Sequence, residues 1–171
     1  MVRTRRLLHV DERQLGELAD VLLDCVEGGA SVSFMHPLPR ERALAFWRGV
    51  AEDVARGEKA LVVAEDGAGV IVGTAQIGLA QPPNQPHRGD LAKMLVHRRA
   101  RRLGAGAALL AAAEAAAREA GKTLLVLDTA SPDASRLYER GGWQRVGDIP
   151  DYALLPHGGL CATTYYFKRV G

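Results

Sequence analysis

The segment that most constrains the fold reads Met94-Leu95-Val96-His97-Arg98-Arg99-Ala100-Arg101-Arg102-Leu103-Gly104-Ala105-Gly106-Ala107. An apolar strand ends at Val96, an arginine-rich turn follows, and two glycines sit where an Ala-rich helix begins. A strand feeding a helix in this way requires a sheet with helices laid against it. The first N–H groups of such a helix lack intrahelical partners, and the helix dipole favours an anion beside them. Gly104 and Gly106 have no Cβ, so a bulky anion can approach the main chain. Arg98, Arg99, Arg101 and Arg102 add four positive charges within five residues. The combination predicts a pyrophosphate cradle.

Two familiar cradles do not fit. No Gly-Lys-Ser/Thr closes the loop, which excludes the Walker sequence. Asp128 follows the second glycine at a distance that suits a ribose-binding acid, but Leu109 stands where a dinucleotide fingerprint needs a small residue. That fingerprint also needs its glycines directly after the strand, and here the arginine turn intervenes. Arginines ahead of the glycines fit a cofactor with several phosphates.

Patterning on either side predicts the remaining elements. Residues 4–9 read as a first strand, and Asp11 caps a helix whose stripe is Leu15, Leu18, Leu22 and Val26, ended by Gly28-Gly29. Prolines make 30–39 a loop, and a second helix runs over 39–57 with Leu44, Trp47, Ala51 and Val54 on one face. Strands are expected at 59–65 and 70–79 as a hairpin, and at 87–96 after a Pro-rich loop. The Ala-rich helix covers 102–120, Leu124 to Leu127 is a buried strand, and Ser131-Pro132 opens a helix through Arg140. Strands at 143–148 and 162–168 close the chain. The order β-α-α-β-β-β-α-β-α-β-β predicts an α/β fold with a mixed sheet and helices on both faces, one domain over 1–171.

Composition narrows the partners. The 171 residues carry 22 Lys+Arg against 20 Asp+Glu, a net charge of +2, which gives no general reason to expect nucleic-acid binding. The basic side is 18 Arg to four Lys, a skew that matters only where arginines cluster, since Arg forks suit phosphate. The four arginines of 98–102 lack interleaved aromatics and make a poor nucleic-acid footprint. Cys25 and Cys161 have no His or second Cys at metal-ligand spacing, so both read as small buried hydrophobes and no metal is expected. Met1 to Val10 holds too short an apolar run for a signal peptide, and no stretch approaches a membrane span. A soluble, reduced, cytoplasmic protein is expected.

Arg101-Arg102-Leu103-Gly104-Ala105-Gly106 resembles the Arg/Gln-x-x-Gly-x-Gly/Ala signature of the GCN5-related N-acetyltransferase (GNAT) family. Met94-Leu95-Val96 is similar to the family's preceding strand, and Ala134-x-x-Leu137-Tyr138-x-x-x-Gly142-Trp143 to its later Ala-x-x-Leu-Tyr…Gly-Phe pattern. The resemblance implies a GNAT-like, mostly antiparallel central sheet. It also implies acetyl-CoA as cosubstrate, held by Met94, Leu95, Val96 and the turn Arg101, Arg102, Leu103, Gly104, Ala105, Gly106 and Ala107. Ser131 stands where the family often has Asn; it can cap the helix, but its shorter arm puts a cofactor contact in doubt. Within the family, Ala92-Lys93-Met94-Leu95-Val96, Leu127-Asp128-Thr129 and Thr164-Tyr165-Tyr166-Phe167-Lys168 look like the branch that includes tabtoxin-resistance acetyltransferase.

Acetyl transfer to an amine requires a deprotonated amine, an oriented thioester, oxyanion stabilisation and a proton for the leaving thiolate. An amine with a pKa of about 10 does not attack while protonated, so a carboxylate base is needed, directly or through water. The resemblance places Asp90 where the family often has Glu, and Asp128 at the end of the next strand is the second candidate. His87 and His97 read as surface histidines. Tyr138 takes the place of the family's acid, and the N–H of Met94 or Leu95 suits the oxyanion. Walls for the acceptor are expected from Phe34, Met35, His36, the 152–159 segment, Tyr165 and Tyr166. The expected acceptor is a small primary amine, amino-acid-like or antibiotic-like, with no nucleic acid and no membrane as partner. Monomer and homodimer both stay open. A binding module that senses acetyl-CoA or another nucleotide without turnover is the alternative, and a dinucleotide oxidoreductase is the third.

Overall fold

The computed structural model describes residues 1–171. The chain runs β1 (Arg3–Leu7), α1 (Glu12–Glu27), α2 (Arg40–Ala55), β2 (Lys59–Glu65), β3 (Ile71–Gly78) and β4 (Arg88–Val96). A 3₁₀ turn at Arg98–Ala100 leads to α3 (Ala105–Glu119), followed by β5 (Leu124–Thr129), α4 (Pro132–Arg140), β6 (Gln144–Leu154) and β7 (Leu160–Arg169). The strands form one sheet in the order β1-β2-β3-β4-β5-β7-β6. All neighbours are antiparallel except β4 and β5. The mixed, mostly antiparallel sheet with helices on both faces is therefore as expected.

Strand alternation divides the core. In β2, Leu61 and Val63 join Leu18, Leu22, Val26, Trp47 and Val50 beneath α1 and α2. Ala60, Val62 and Ala64 turn to the other face and meet Leu109, Leu110, Ala113 and Ala117 of α3. Burial on both faces explains why β2 is a continuous apolar run without alternation. Asp11 and Gln14 form a reciprocal capping box at the start of α1, an arrangement worth about 1 kcal/mol.

Two boundaries differ from expectation by more than two residues. Helix α3 begins at Ala105 because Arg102 (φ 63°) and Gly104 (φ 80°) are left-handed and break the helical path. Strand β6 continues past Asp148 to Leu154, through Pro150, with a register shift between Ile149 and Ala153. An edge strand tolerates proline because its outer N–H groups have no ladder to join.

Candidate active site

Strands β4 and β5 pair only where Arg88, Gly89 and Asp90 lie beside Leu124, Leu125 and Val126. Beyond Asp90, β4 follows β3 to Val96 while β5 follows β7 to Thr129. A wedge therefore opens between the carboxyl halves of the two strands. The strands are parallel, so the turn into α3 and the start of α4 both stand at its mouth.

The turn into α3 leaves its main-chain donors free. Backbone N–H groups from Arg102 through Ala107 find no acceptor in the protein; the first bond of the helix is from Ala108 to the Gly104 carbonyl, 3.1 Å. Gly104 serves its backbone conformation, since a Cβ there would meet nothing within 4 Å. Gly106 serves proximity: a Cβ would lie 3.1 Å from Leu137 Cδ2 of α4. The four arginines divide into two roles. Arg98 pairs with Asp24 and Glu27, both at 2.9 Å, and Arg99 with Asp66 at 2.9 Å. Those pairs fasten the turn to α1 and to the β2–β3 hairpin. Arg101 donates only to the Val96 carbonyl, 3.3 Å, and Arg102 is exposed without an ion pair. A depression of about 350 Å³ beside this turn is lined by Glu17, Asp20, Asp24 and Glu27. Its acids anchor arginines and repel phosphate, so it is no competitor for the cradle.

Strand β4 changes face along its length. Lys93 and Met94 lie opposite the single residue Ala75, between the pairs Gln76–Ala92 and Thr74–Leu95. Lys93 is left-handed, φ 51°. Leu91 therefore packs on the α3 side, yet Leu95 packs beneath α1. A bulge of this kind withdraws main-chain groups from the ladder beside the wedge. Gln76 is buried on the α1–α2 side, and its Nε2 has no hydrogen-bond partner.

Tyr138 on α4 is 4 % exposed, with its ring 5.8 Å from Trp143 and 6.0 Å from Tyr166. Its hydroxyl has no hydrogen bond within the protein, whereas Tyr166 donates to Glu139 at 2.9 Å. Burial, and secondarily the charge of Asp128, push the Tyr138 phenol well above its ordinary pKa. The group stays protonated at neutral pH and has a proton to give.

On the opposite face lies a pocket of about 120 Å³ lined by Ser31, Ser33, Asp128, Thr129, Ala130, Tyr152, Ala153, Cys161, Ala162 and Thr163. Asp128 is exposed there and accepts a 2.7 Å hydrogen bond from Thr163 Oγ1. Tyr165, opposite Asp128 in the ladder, shares a 3.1 Å hydrogen bond with Tyr152. That bond, then burial and the charges of Asp128 and Asp90, push the Tyr165 phenol up to about 12. Asp90 shares this face but is engaged, held by Arg88 Nη1 and by Gln81 Nε2 at 3.1 Å. Ser131 accepts from the Ala134 N–H at 3.2 Å and so caps α4.

Of the expected acceptor walls, Tyr152 and Tyr165 reach this face. Phe34 packs edge-on to Phe46, and His36 stacks on His157 at 4.4 Å. Tyr166 turns to the α3 side and Met35 is exposed. Sequence reasoning missed Ser31, Ser33, Thr163 and Lys93, none of which has a spacing signal. Cys161 was expected to be a buried hydrophobe; it is half-buried on the pocket wall, while Cys25 is buried as expected.

Free amides at the turn into α3 thus open onto a wedge with a buried phenol on one side and a carboxylate pocket on the other. A profile of the acetyltransferase (GNAT) family matches residues 22–143. The chain belongs to this family of acetyltransferases. It superposes on an N-acetyltransferase from Staphylococcus aureus Mu50 with a TM-score of 0.82 at 19% identity, covering 100% of this chain and 99% of the other. A ribosomal-protein-alanine N-acetyltransferase from Brucella melitensis gives 0.80 at 23%, covering 99% of each chain. A GNAT superfamily phosphinothricin acetyltransferase from Sinorhizobium meliloti, in complex with acetyl-CoA, gives 0.81 at 17%, covering 99% and 89%. Acetyl-CoA as cosubstrate fits the free amides, the unpaired Arg101 and Arg102 and the wedge. No helix is long and apolar enough to cross a membrane.

Proposed function

We propose that this enzyme moves the acetyl group of acetyl-CoA directly to the primary amine of a small molecule held in the Asp128 pocket. The observation that carries the reading is the wedge between β4 and β5, with the cofactor cradle at its mouth, Tyr138 on one face and Asp128 on the other. Acetyl-CoA supplies an activated thioester. The amides of Leu103 to Ala107, with Arg101 and Arg102, hold its pyrophosphate, and Ser131 keeps the start of α4 in place beside it.

Asp128 takes the proton from the acceptor ammonium, directly or through one water, and its bond from Thr163 orients it for this. The N–H of Met94 or Leu95 stabilises charge building on the carbonyl oxygen as the amine nitrogen bonds to the carbonyl carbon. Tyr138 protonates the sulfur as the carbon–sulfur bond breaks, and the second proton shed by the nitrogen, now an amide, restores the phenol by way of solvent. Asp90, already neutralised by Arg88, sets the local charge and is the second candidate base. The whole chain, 1–171, acts as one catalytic unit, cytoplasmic, with the acceptor resembling that of the tabtoxin-resistance branch. Neither a membrane nor a nucleic acid belongs to the reading, and a monomer or a homodimer serves it equally.

Thermal unfolding with acetyl-CoA, NADPH and ATP in parallel tests the donor. Acetyl-CoA at 100 times its Kd adds about 2.7 kcal/mol of stability. A shift with NADPH and none with acetyl-CoA overturns the reading. Release of CoA against a panel of amines then tests the transfer.

A further inference from the structure

The chain has four lysines, and three have their ammonium groups on a carboxylate or on main-chain carbonyls. Lys59 pairs with Asp53 at 2.9 Å, Lys168 with Glu114 at 2.8 Å, and Lys122 donates to the carbonyls of Leu79 and Pro86 at 2.7 and 2.8 Å. Lys93 is different. Its Nζ donates once, to Ser33 Oγ at 3.2 Å, and lies 5.8 Å from the centre of the Phe46 ring. It has no carboxylate or carbonyl partner, although the side chain is half-buried.

The backbone makes this placement deliberate. Lys93 is held left-handed in the β4 bulge, a conformation that residues other than glycine rarely adopt. Ser33, its one partner, is left-handed too (φ 77°) and lines the Asp128 pocket. Ser33 therefore links the pocket, whose wall carries the Asp128 carboxylate, to the Lys93 ammonium standing behind it.

Resting on the reading of Asp128 as the base, we propose that Lys93 binds a carboxylate of the acceptor, so that the preferred acceptors are amino acids and not simple amines. A carboxylate there satisfies ammonium donors that the protein leaves free, while the amine of the same molecule faces Asp128. Burial, and secondarily the nearby Lys59, hold the Lys93 ammonium below its ordinary pKa, with Asp128 opposing them. An incoming anion reverses that tendency. A neutral amine leaves the cation as it was.

The test measures kcat/KM for CoA release with the standard α-amino acids, their carboxamides and the matching decarboxylated amines. Wild-type enzyme is expected to favour the best amino acid over its two counterparts by about 10- to 100-fold, the scale of one charged hydrogen bond. The carboxamide has the less basic amine, so its larger free-amine fraction works against this preference. Lys93→Met is expected to bring the ratio close to one, with acetyl-CoA still raising Tm. Equal or better turnover of the neutral amines by wild-type enzyme overturns the assignment and leaves the transferase reading standing. An undiminished ratio in Lys93→Met overturns it as well. Should acetyl-CoA bind and no amine be acetylated, the transferase reading falls, and this inference with it.

Discussion

From β1 to β4 the sheet has helices packed on both faces, whereas β5, β7 and β6 are covered on the α3–α4 face and leave the other to the Asp128 pocket. In the covered half, nearly every residue of β2 and β3 is buried; Thr74 donates to the Val62 carbonyl at 3.1 Å, and Gln76 Nε2 is the one buried polar group of these strands without a partner. In the open half, reactive groups keep unused bonding capacity: the Tyr138 hydroxyl, the Asp128 carboxylate and the Lys93 ammonium at the boundary. One half holds the molecule together through packing, and the other retains polar groups that packing would have excluded.

Substitutions break this contrast in separable ways. The largest effect is expected in the covered half: Leu18→Ala, at a residue with no exposed surface, costs about 2–5 kcal/mol in urea unfolding. The surviving folded enzyme keeps its KM for acetyl-CoA. Tyr138→Phe does the reverse. It lowers kcat by about 10²-fold, equivalent to about 2.7 kcal/mol, and changes unfolding free energy by less than about 0.5 kcal/mol, because the hydroxyl has no partner to lose. An unchanged kcat in that variant removes Tyr138 as the acid.

The two acids sharpen the comparison further. Asp128→Asn is expected to slow transfer by about 10²-fold, and Asp90→Asn, at a carboxylate already engaged by Arg88 and Gln81, by less than about tenfold. The opposite ranking in single-turnover rates exchanges their roles. Gly104→Ala, forced into φ 80°, costs about 1–2 kcal/mol in stability and raises KM for acetyl-CoA.

The smallest effect is a matter of pH. The hydrogen bond from Arg5 to Glu65, outweighing burial, holds the Glu65 pKa below the ordinary glutamate value. Its folded pKa lies below its unfolded one, so the stabilisation is complete above about 4.5 and fades as pH falls through the folded value. Arg5→Met is expected to remove about 0.5–1 kcal/mol at pH 7 and to converge with wild type in acid. A constant gap between their denaturation midpoints down to pH 2 refutes the assignment.

The elements themselves were legible because their signals are local: Asp11 and Ser131 as caps, glycines after helices, and the apolar run of β2. The turn into α3 with its two glycines was legible for the same reason, being contiguous in sequence. Four features were not. The bulge at Lys93 depends on two residues facing Ala75, a relation between strands that β4 alone does not encode. The ion pairs that take Arg98 and Arg99 out of the cradle come from Asp24, Glu27 and Asp66, distant in sequence. The pocket wall draws Ser31, Thr129, Tyr152 and Thr163 from separate segments. Pro150 hid the length of β6, since proline reads as a strand breaker wherever edge and interior strands are not yet distinguished.

The approach of Gly106 to Leu137 has a consequence for engineering. Leu137 immediately precedes Tyr138, so the first turn of α3 and the helix that bears the phenol are in register with each other. On the proposed roles, the turn and α4 form one transplantable module. Grafting the turn alone onto another scaffold would then bring the free amides without the contact that places Tyr138, and is expected to yield a protein that holds acetyl-CoA and does little with it.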